Sequence, residues 1–250
     1  MTGLGLVGLN AWLYTALVLY SLVAIPLLSL GVAVRAPWVS RRTSMRHFRR
    51  AIRWYGYGII HGVGFPWIRV RFEDASGDGG AGPFVFVCNH NAASDPFLMA
   101  CIAHEGVQIA KGWPLRLPVW GAMARWAGYF SADDMPTDVF LARARRLLDE
   151  GVSLVTFPEG TRSQGRGIGA FHSAAFRLAL QMRVDIAPIC IRGNERMPPR
   201  GSGLLRPGRV RIRRLPTLPW AACKDLTPFQ LKTRVRKGMV AAWSTMAGDA

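Results

Sequence analysis

The apolar positions divide the chain into one long uncharged segment and a region in which short apolar runs alternate with polar ones. Residues 1–34 contain no charged side chain, and their apolar run exceeds the roughly 20 residues that a helix needs to cross a bilayer. Pro26 can kink such a helix or mark its end. The pattern therefore predicts a membrane-anchoring helix over residues 1–34, with a helix buried in a protein core as the alternative.

Seven arginines follow between residues 35 and 53, directly after the uncharged segment. A cationic flank on that side alone predicts that the rest of the chain stays on the cytoplasmic face of the membrane. A cleaved signal peptide is not expected, because the run is too long and lacks a basic start. Residues 35–66 interleave the arginines with tryptophan, tyrosine and phenylalanine. That mixture suits the headgroup layer of a bilayer, and a helix packed on the following domain is a compatible alternative.

From residue 67 onward, strand-like and helix-like periods alternate. Thr137 and Thr227 are the predicted N-caps of two of the helices. Alternating arginines and aliphatic residues near the end predict an edge strand or a membrane-facing ribbon. The whole pattern predicts an α/β domain over residues 67–250, with an open, mostly parallel sheet flanked by helices. Strands are predicted at 67–72, 83–88, 107–110, 128–132, 153–157, 186–191 and 209–214, and helices at 95–104, 117–127, 137–150, 170–182 and 227–243.

Charge narrows the classes of protein that fit this pattern. The chain has 250 residues, with 32 Lys and Arg against 15 Asp and Glu, which gives a formal net charge of +17. Half of the 250 residues are hydrophobic. Such a chain is neither disordered nor a coiled coil, and its charge suits nucleic acid or an anionic membrane. The charge gathers beside the apolar segment, and no nucleic-acid-binding motif is present. We therefore expect membrane lipids as partners and no nucleic acid, and the spacing of Cys, His and acidic residues suggests no metal.

The first of two polar motifs, Asn-His-Asn-Ala-Ala-Ser-Asp at 89–95, follows an apolar strand, where ligands of parallel sheets collect. His90 and Asp95 are five residues apart, so a turn can bring the carboxylate to one imidazole nitrogen. That bond would orient the ring as a general base, with the attacking hydroxyl supplied by the substrate. The alternative is a helix capped by Asp95, with His90 in the preceding turn.

The second motif, Phe-Pro-Glu-Gly-Thr-Arg-Ser at 157–163, also follows an apolar strand. Glu159 can accept a hydrogen bond from a ligand hydroxyl, and Gly160 permits a close backbone approach or a positive φ. Arg162 offers a planar guanidinium to a phosphate, next to the hydroxyl of Thr161. The alternative is a surface turn closed by an ion pair between Glu159 and Arg162.

The two motifs together resemble the first and third signature blocks of the glycerolipid acyltransferases, best known from 1-acylglycerol-3-phosphate acyltransferase. Ala187, Pro188 and Ile189 resemble the proline-centred fourth block, and Lys111 resembles a basic residue between the first two blocks. The resemblance covers about residues 84–193 in the right order. It implies a glycerolphosphate acyltransferase-like fold with an N-terminal membrane-binding helical segment.

The resemblance also implies a reaction. His90, oriented by Asp95, would deprotonate the free hydroxyl of a lysolipid acceptor, which attacks the thioester of acyl-CoA or acyl-carrier protein. The expected acceptor is 1-acylglycerol-3-phosphate, which gives phosphatidic acid, and no cofactor beyond the thioester co-substrate is implied. Cys88, two residues before His90, is an alternative nucleophile for a covalent route, although a small buried hydrophobe is commoner there. The residues expected to bind the acceptor or the carrier phosphates are Lys111, Glu159, Gly160, Thr161 and Arg162.

One position departs from the family pattern. Asp134 stands where the second block has an arginine that helps hold the acceptor's phosphate. The loop is shifted by a residue or two, another cation substitutes, or the acceptor has a different head group, such as the amine-bearing one of a lyso-ornithine lipid. A non-catalytic lipid-binding scaffold on the same fold is the alternative from a different class. The candidate substitutes are Arg125, Arg143 and Arg166.

Overall fold

The computed structural model describes residues 3–77, 82–163, 167–195, 197–199 and 201–246. Within these residues the strands are β1 Ile68–Asp74, β2 Phe84–Cys88, β3 Gly106–Gln108, β4 Ser153–Thr156, β5 Asp185–Arg192 and β6 Gly208–Arg214. The helices are α1 Gly3–Arg35, α2 Arg41–Gly58, α3 Asp95–Leu98, α4 Gly112–Leu115, α5 Trp120–Trp126, α6 Thr137–Asp149, α7 Ala174–Met182 and α8 Pro228–Thr245.

The strands form one sheet in the order β1-β6-β5-β2-β4-β3. β2 pairs in parallel with both β4 and β5, so that Val85 lies opposite Leu154 and Ile186, and β3 pairs in parallel with β4. All residues of β2 and β4 are buried, as expected for strands covered on both faces, which explains the unbroken apolar sequence of β2. The two polar residues of β4 bond the backbone of β2: Ser153 accepts from the N of Phe84, and Thr156 donates to the carbonyl of Phe86. The predicted α/β class, with a mostly parallel sheet flanked by helices and an apolar N-terminal helix, is confirmed.

The chain divides into two compact units, each built from separate stretches. The α1 unit comprises Met1–Phe72, Asn91–Ala103 and Arg192–Ile212, and the His90 unit comprises Glu73–His90, His104–Ile191 and Arg213–Ala250. The division of the sequence into an anchor at 1–34, an interfacial segment at 35–66 and a catalytic domain at 67–250 stays a prediction.

In the α1 unit, α1 continues through Pro26 without interruption. By length and composition it can cross a membrane, with a mean hydropathy of 2.4 over 18 residues. Polar side chains fix this helix, which is uncharged up to Arg35, to its neighbours. Asn10 exchanges two hydrogen bonds with the backbone of Leu205, at 2.9 and 2.7 Å, and Tyr20 stacks on Tyr55 of α2 with ring centroids 5.4 Å apart.

The His90 unit has its core between the parallel strands and α6, α7 and α8. Phe176 of α7 and Met239 of α8 pack with Val85 and Ile186, while Leu147 of α6 belongs to a second cluster around β3 and β4. Arg214 at the end of β6 is also buried. Its guanidinium lies 4.8 Å from the ring centroid of Phe84 and 3.3 Å from a carboxylate oxygen of Asp74, so the buried charge is paired.

Several sequence predictions for local structure were wrong. The strand expected at 128–132 is a single bridge between Ile109 and Phe130, because Gly128 has a positive φ of 98° that breaks an extended run. The helix expected at 95–104 is α3 followed by a 3₁₀ turn, Met99–Cys101, since the chain must extend into β3.

The expected edge strand at 209–214 was also wrong, because β6 lies inside the sheet between β1 and β5. Thr137 is the first residue of α6 rather than its cap, a place taken by Pro136. Thr227 is confirmed as an N-cap: it forms a capping box with Gln230, whose backbone N donates to the threonine hydroxyl at 3.2 Å.

Candidate active site

The side chain of Asn89 fixes the point where the chain leaves β2. It is fully buried, accepts a hydrogen bond from the backbone N of Ile191 at 2.7 Å and donates one to the same residue's carbonyl at 2.9 Å. These two bonds continue the pairing of β2 with β5 by one further residue. His90 is the next residue, so the two hydrogen bonds of the Asn89 side chain fix its position at the carboxyl end of the sheet.

Glu159 holds the backbone of His90 from the other side. One carboxylate oxygen accepts from the backbone N of His90 at 2.9 Å, and the other accepts from the backbone N of Gly169 at 2.9 Å. The backbone N of Ser163 donates to the His90 carbonyl at 2.8 Å. Both backbone polar groups of His90 are therefore bonded to the 157–163 turn, and Glu159, which accepts from the backbone N, is only 7% exposed.

The 157–163 turn places four of the predicted site residues, 159–162, at the end of β4, which pairs in parallel with β2. Gly160 adopts φ +66°, a region that favours glycine, and its N donates to the carbonyl of Phe157 at 3.1 Å. The Phe157 ring lies 5.0 Å from the His90 ring, measured between centroids. Thr161 is exposed, while Arg162 and His90 are half-buried. The imidazole of His90 can accept a proton, and the hydroxyl and guanidinium of the turn bonded to it can bind an anion.

Asp95 belongs to the α1 unit, where its carboxylate is fully buried. One oxygen accepts from the backbone N of Asn91 at 2.7 Å and of Ala92 at 3.0 Å, and the other accepts from the side-chain amide of Asn194. The residues that directly follow His90 are therefore folded back onto this carboxylate. Ser94 occupies the N-cap position of α3, so the alternative that made Asp95 the cap was wrong.

Two buried asparagines, Asn89 and Asn194, were missed by the sequence analysis. Asn194 joins the Asp95 carboxylate and also accepts from the side chain of Asn91 at 3.1 Å. The only signal in the sequence is that each stands just after an apolar strand, a position at which a buried polar residue must find a partner.

Lys111 and Asp134 form a second group of charges, which we call the Lys111 corner. Lys111 is exposed and precedes the first residue of α4. The Asp134 carboxylate lies against the next residue, Gly112, where an added Cβ would come within 2.7 Å of a carboxylate oxygen. Asp134 also forms a loose ion pair with Arg116 at 3.5 Å, with side chains 42% and 76% exposed. The acidic residue of the second block thus lies against the residue that follows Lys111 in the sequence.

Two of the three cations proposed to replace the missing arginine are bonded to carbonyls near their own segments. Arg125 donates to the Leu115 carbonyl. Arg143 donates to the Gly128 carbonyl at 3.2 Å, and its guanidinium lies 4.9 Å from the ring centroid of Phe130. Arg166 lies outside the described residues.

Cys88 does not offer an accessible nucleophile. It is the last residue of β2, it is fully buried, and its Cα lies opposite Ile189 in the parallel pairing. An acyl donor would have to enter the sheet to reach its sulfur. The geometry therefore disfavours the covalent route.

Comparison with known proteins gives concordant results for sequence and fold. The Acyltransferase family model matches residues 68–192, half of the chain. The chain is 30% identical over 191 residues to 1-acyl-sn-glycerol-3-phosphate acyltransferase alpha of Ovis aries, covering 73% of this chain and 65% of that one. It is 32% identical over 134 residues to the chloroplastic 1-acyl-sn-glycerol-3-phosphate acyltransferase LPAT1 of Arabidopsis thaliana, covering 52% of this chain and 38% of that one.

The chain therefore spans less than two thirds of the length of these two relatives. Among solved structures, the 1-acyl-sn-glycerophosphate (LPA) acyltransferase PlsC from Thermotoga maritima superimposes with a TM-score of 0.81 at 19% identity. The superposition covers 100% of this chain and 99% of that one, so the two share a fold.

Proposed function

The chain belongs to the acyltransferase family, and we propose that it moves a fatty acyl group from a thioester to the free hydroxyl of 1-acylglycerol-3-phosphate, giving phosphatidic acid. The observation that carries the proposal is the position of His90, whose backbone is held on both sides at the end of β2 by the 157–163 turn. The acceptor is proposed from the names of the relatives. The donor is acyl-CoA or acyl-carrier protein.

In the proposed mechanism His90 is the general base. Its imidazole takes the proton of the acceptor hydroxyl as that oxygen attacks the thioester carbonyl carbon. The C–S bond then breaks, and the leaving thiolate takes the proton back from the imidazolium. Asp95 orients the imidazole and stabilises its charged form, a role supported by the hydrogen bond that Asn91, the residue after His90, makes to the Asp95 carboxylate. Such a base contributes about 10²–10⁴-fold to a rate.

The anionic groups of the substrates need cationic and hydroxyl partners. In this proposal Arg162, Thr161 and Lys111 bind head-group or carrier phosphates. Glu159 and Gly160 position the acceptor's polar end by shaping the turn, because the Glu159 carboxylate bonds two backbone groups and Gly160 has the positive φ. The reaction uses no metal and no cofactor beyond the thioester.

A second candidate acceptor is favoured by the Lys111 corner. Asp134 is held against Gly112, next to Lys111, where the family pattern has a cation. A carboxylate there repels a phosphomonoester and attracts an amine. O-acylation of an amine-bearing lysolipid such as lyso-ornithine lipid is therefore the alternative to 1-acylglycerol-3-phosphate.

The proposed substrates also require a membrane. Lysolipids and their acylated products reside in bilayers, and α1 is long and apolar enough to anchor the enzyme to one. We assign the catalytic residues to the cytoplasmic face because arginines gather directly after the apolar part of α1.

The test is a panel of lysolipids offered to the full chain in lipid nanodiscs, each with acyl-CoA and with acyl-carrier protein. We expect release of free thiol that depends on 1-acylglycerol-3-phosphate and equals the phosphatidic acid formed. Preferred turnover of the lyso-ornithine lipid would favour the second acceptor. Lipid binding without thiol release in every combination would contradict both and indicate a non-catalytic scaffold.

A further inference from the structure

The segment 111–126 of the His90 unit exposes five large apolar side chains within 16 residues. It contains the short helices α4 and α5 and the connection between them. Exposed apolar groups that are contiguous on a surface mark sites of interaction with a protein or a membrane. The exposed side chains are Trp113 at 64%, Leu117 at 40%, Val119 at 53%, Trp120 at 41% and Trp126 at 72%.

These side chains are presented by a backbone that is held in place. An added Cβ at Gly121 would lie 2.6 Å from the Leu115 carbonyl oxygen, so the two helices approach closely at this glycine. Arg125 of α5 donates to the same carbonyl. Val119, between the helices, has φ +58°, which is rare for a β-branched residue and indicates strain. The connection is therefore fixed in a form that keeps its apolar residues outside.

The charges on the segment indicate which partner this surface fits. Lys111, Arg116 and Arg125 are exposed; Arg116 and Arg125 lie between the apolar residues in the sequence, and Lys111 precedes them. The acidic neighbours are Asp133 and Asp134, of which Asp134 is paired with Arg116. Tryptophan indoles and long cationic side chains together are typical of the headgroup layer, where each has an apolar body and a polar end. Anionic headgroups complement the cations.

We propose that residues 111–126 form a second membrane-contacting surface, separate in sequence from α1, which inserts its indoles into the headgroup layer of an anionic bilayer. This surface goes beyond the proposed acyl transfer and does not rest on it. It places a lipid-contacting segment that begins at Lys111 on the unit that carries His90.

Depth-dependent quenching of a single label tests this inference. The label, an environment-sensitive NBD group, is attached at Trp126→Cys in the full chain, in nanodiscs of phosphatidylcholine and phosphatidylglycerol. Native thiols interfere little, because three of the four cysteines are buried and burial raises the pKa of Cys101 to about 11. Phe229→Cys on α8 is the matched control, since Phe229 is similarly exposed at 66%.

We expect lipids with a nitroxide high on the acyl chain to quench position 126, at a depth of about 5–10 Å into the boundary between headgroups and acyl chains, and to leave position 229 unquenched. Replacing phosphatidylglycerol by phosphatidylcholine, or Arg116 by glutamate, should reduce the quenching at 126. Equal quenching at the two positions, or quenching indifferent to lipid charge, would overturn the proposal. A blue shift of the NBD emission that depends on protein concentration and not on lipid concentration would also overturn the proposal, because it would indicate contact between copies of the chain. None of these readouts depends on acyl transfer.

Discussion

The His90 end of β2 and the Lys111 corner lie in the same unit, but their polar groups are held in opposite ways. At His90 a buried carboxylate, that of Glu159, makes two backbone hydrogen bonds of 2.9 Å. At the corner, Asp134 and Arg116 are exposed and meet at 3.5 Å. A buried group fixes geometry, because its loss leaves partners unsatisfied, whereas an exposed pair contributes little to stability. We infer that the first region sets the rate of reaction and the second sets the choice of head group.

Of the changes that compare the two regions, removal of the buried Glu159 carboxylate should have the largest effect on stability and on kcat. Glu159→Ala leaves the backbone N–H groups of His90 and Gly169 without their acceptor, at a cost of about 1–3 kcal/mol each. We expect a lower free energy of unfolding and a fall in kcat that exceeds any rise in the KM of the acceptor. Glu159→Gln keeps one acceptor oxygen and should lose about half as much stability. Denaturant unfolding in detergent and steady-state kinetics measure the two effects.

A different outcome would change the role of Glu159. If Glu159→Gln leaves stability and kcat intact but raises the KM of the acceptor, the side chain binds the head group directly. The buried region would then contribute to substrate binding, and it would not differ from the Lys111 corner in the way that we infer.

Reversing the charge at the corner should change selectivity with little effect on stability. Asp134→Arg removes a carboxylate and restores the cation of the family pattern. The kcat/KM for a phosphate-bearing acceptor should therefore rise relative to that for an amine-bearing one. One such interaction near the surface is worth about 1–2 kcal/mol, which is roughly a five- to thirtyfold change in the ratio of kcat/KM values. Asp133→Arg is the matched control, because Asp133 is the exposed neighbour. Equal shifts in the two variants would mean that net charge alone acts.

Deleting the partner of Asp134 should have the smallest effect. Arg116→Ala removes an ion pair whose members are exposed, and such pairs contribute about 0–1 kcal/mol. We expect an unfolding midpoint close to that of the unaltered chain, and a slight further preference for amine-bearing acceptors because Asp134 loses its partner. Thermal unfolding and the same competition assay check both. A loss of stability comparable to that of Glu159→Ala would refute the distinction between the buried His90 end of β2 and the exposed Lys111 corner.

The sequence was informative where local pattern decides the structure. β2 and β4 are buried on both faces, so their largely apolar runs predicted both strands and, at their ends, the motifs with His90 and Glu159. The sequence was misleading at 128–132, where the composition is typical of a strand but Gly128 has a positive φ that a regular strand does not allow.

The hydrogen-bond partners within the site could not be predicted. Glu159 bonds a backbone group 69 residues away, and Asn89 bonds one 102 residues away. Nothing in the composition of either motif specifies that its polar side chain is used for backbone groups rather than substrate. The same holds for Arg214, whose burial depends on Asp74 and the rings of β2 lying around it.

The central claim, that His90 is the base, is tested most directly by comparing two histidines beside the same turn. His172 is exposed and its ring approaches Gly160, so His172→Ala is the matched control for His90→Ala. In nanodiscs with the accepted lysolipid and thioester, we expect His90→Ala to lower acyl transfer about 10²–10⁴-fold while it stays folded and membrane-bound. We expect His172→Ala to retain most of the activity. Near-normal turnover in His90→Ala would contradict the account.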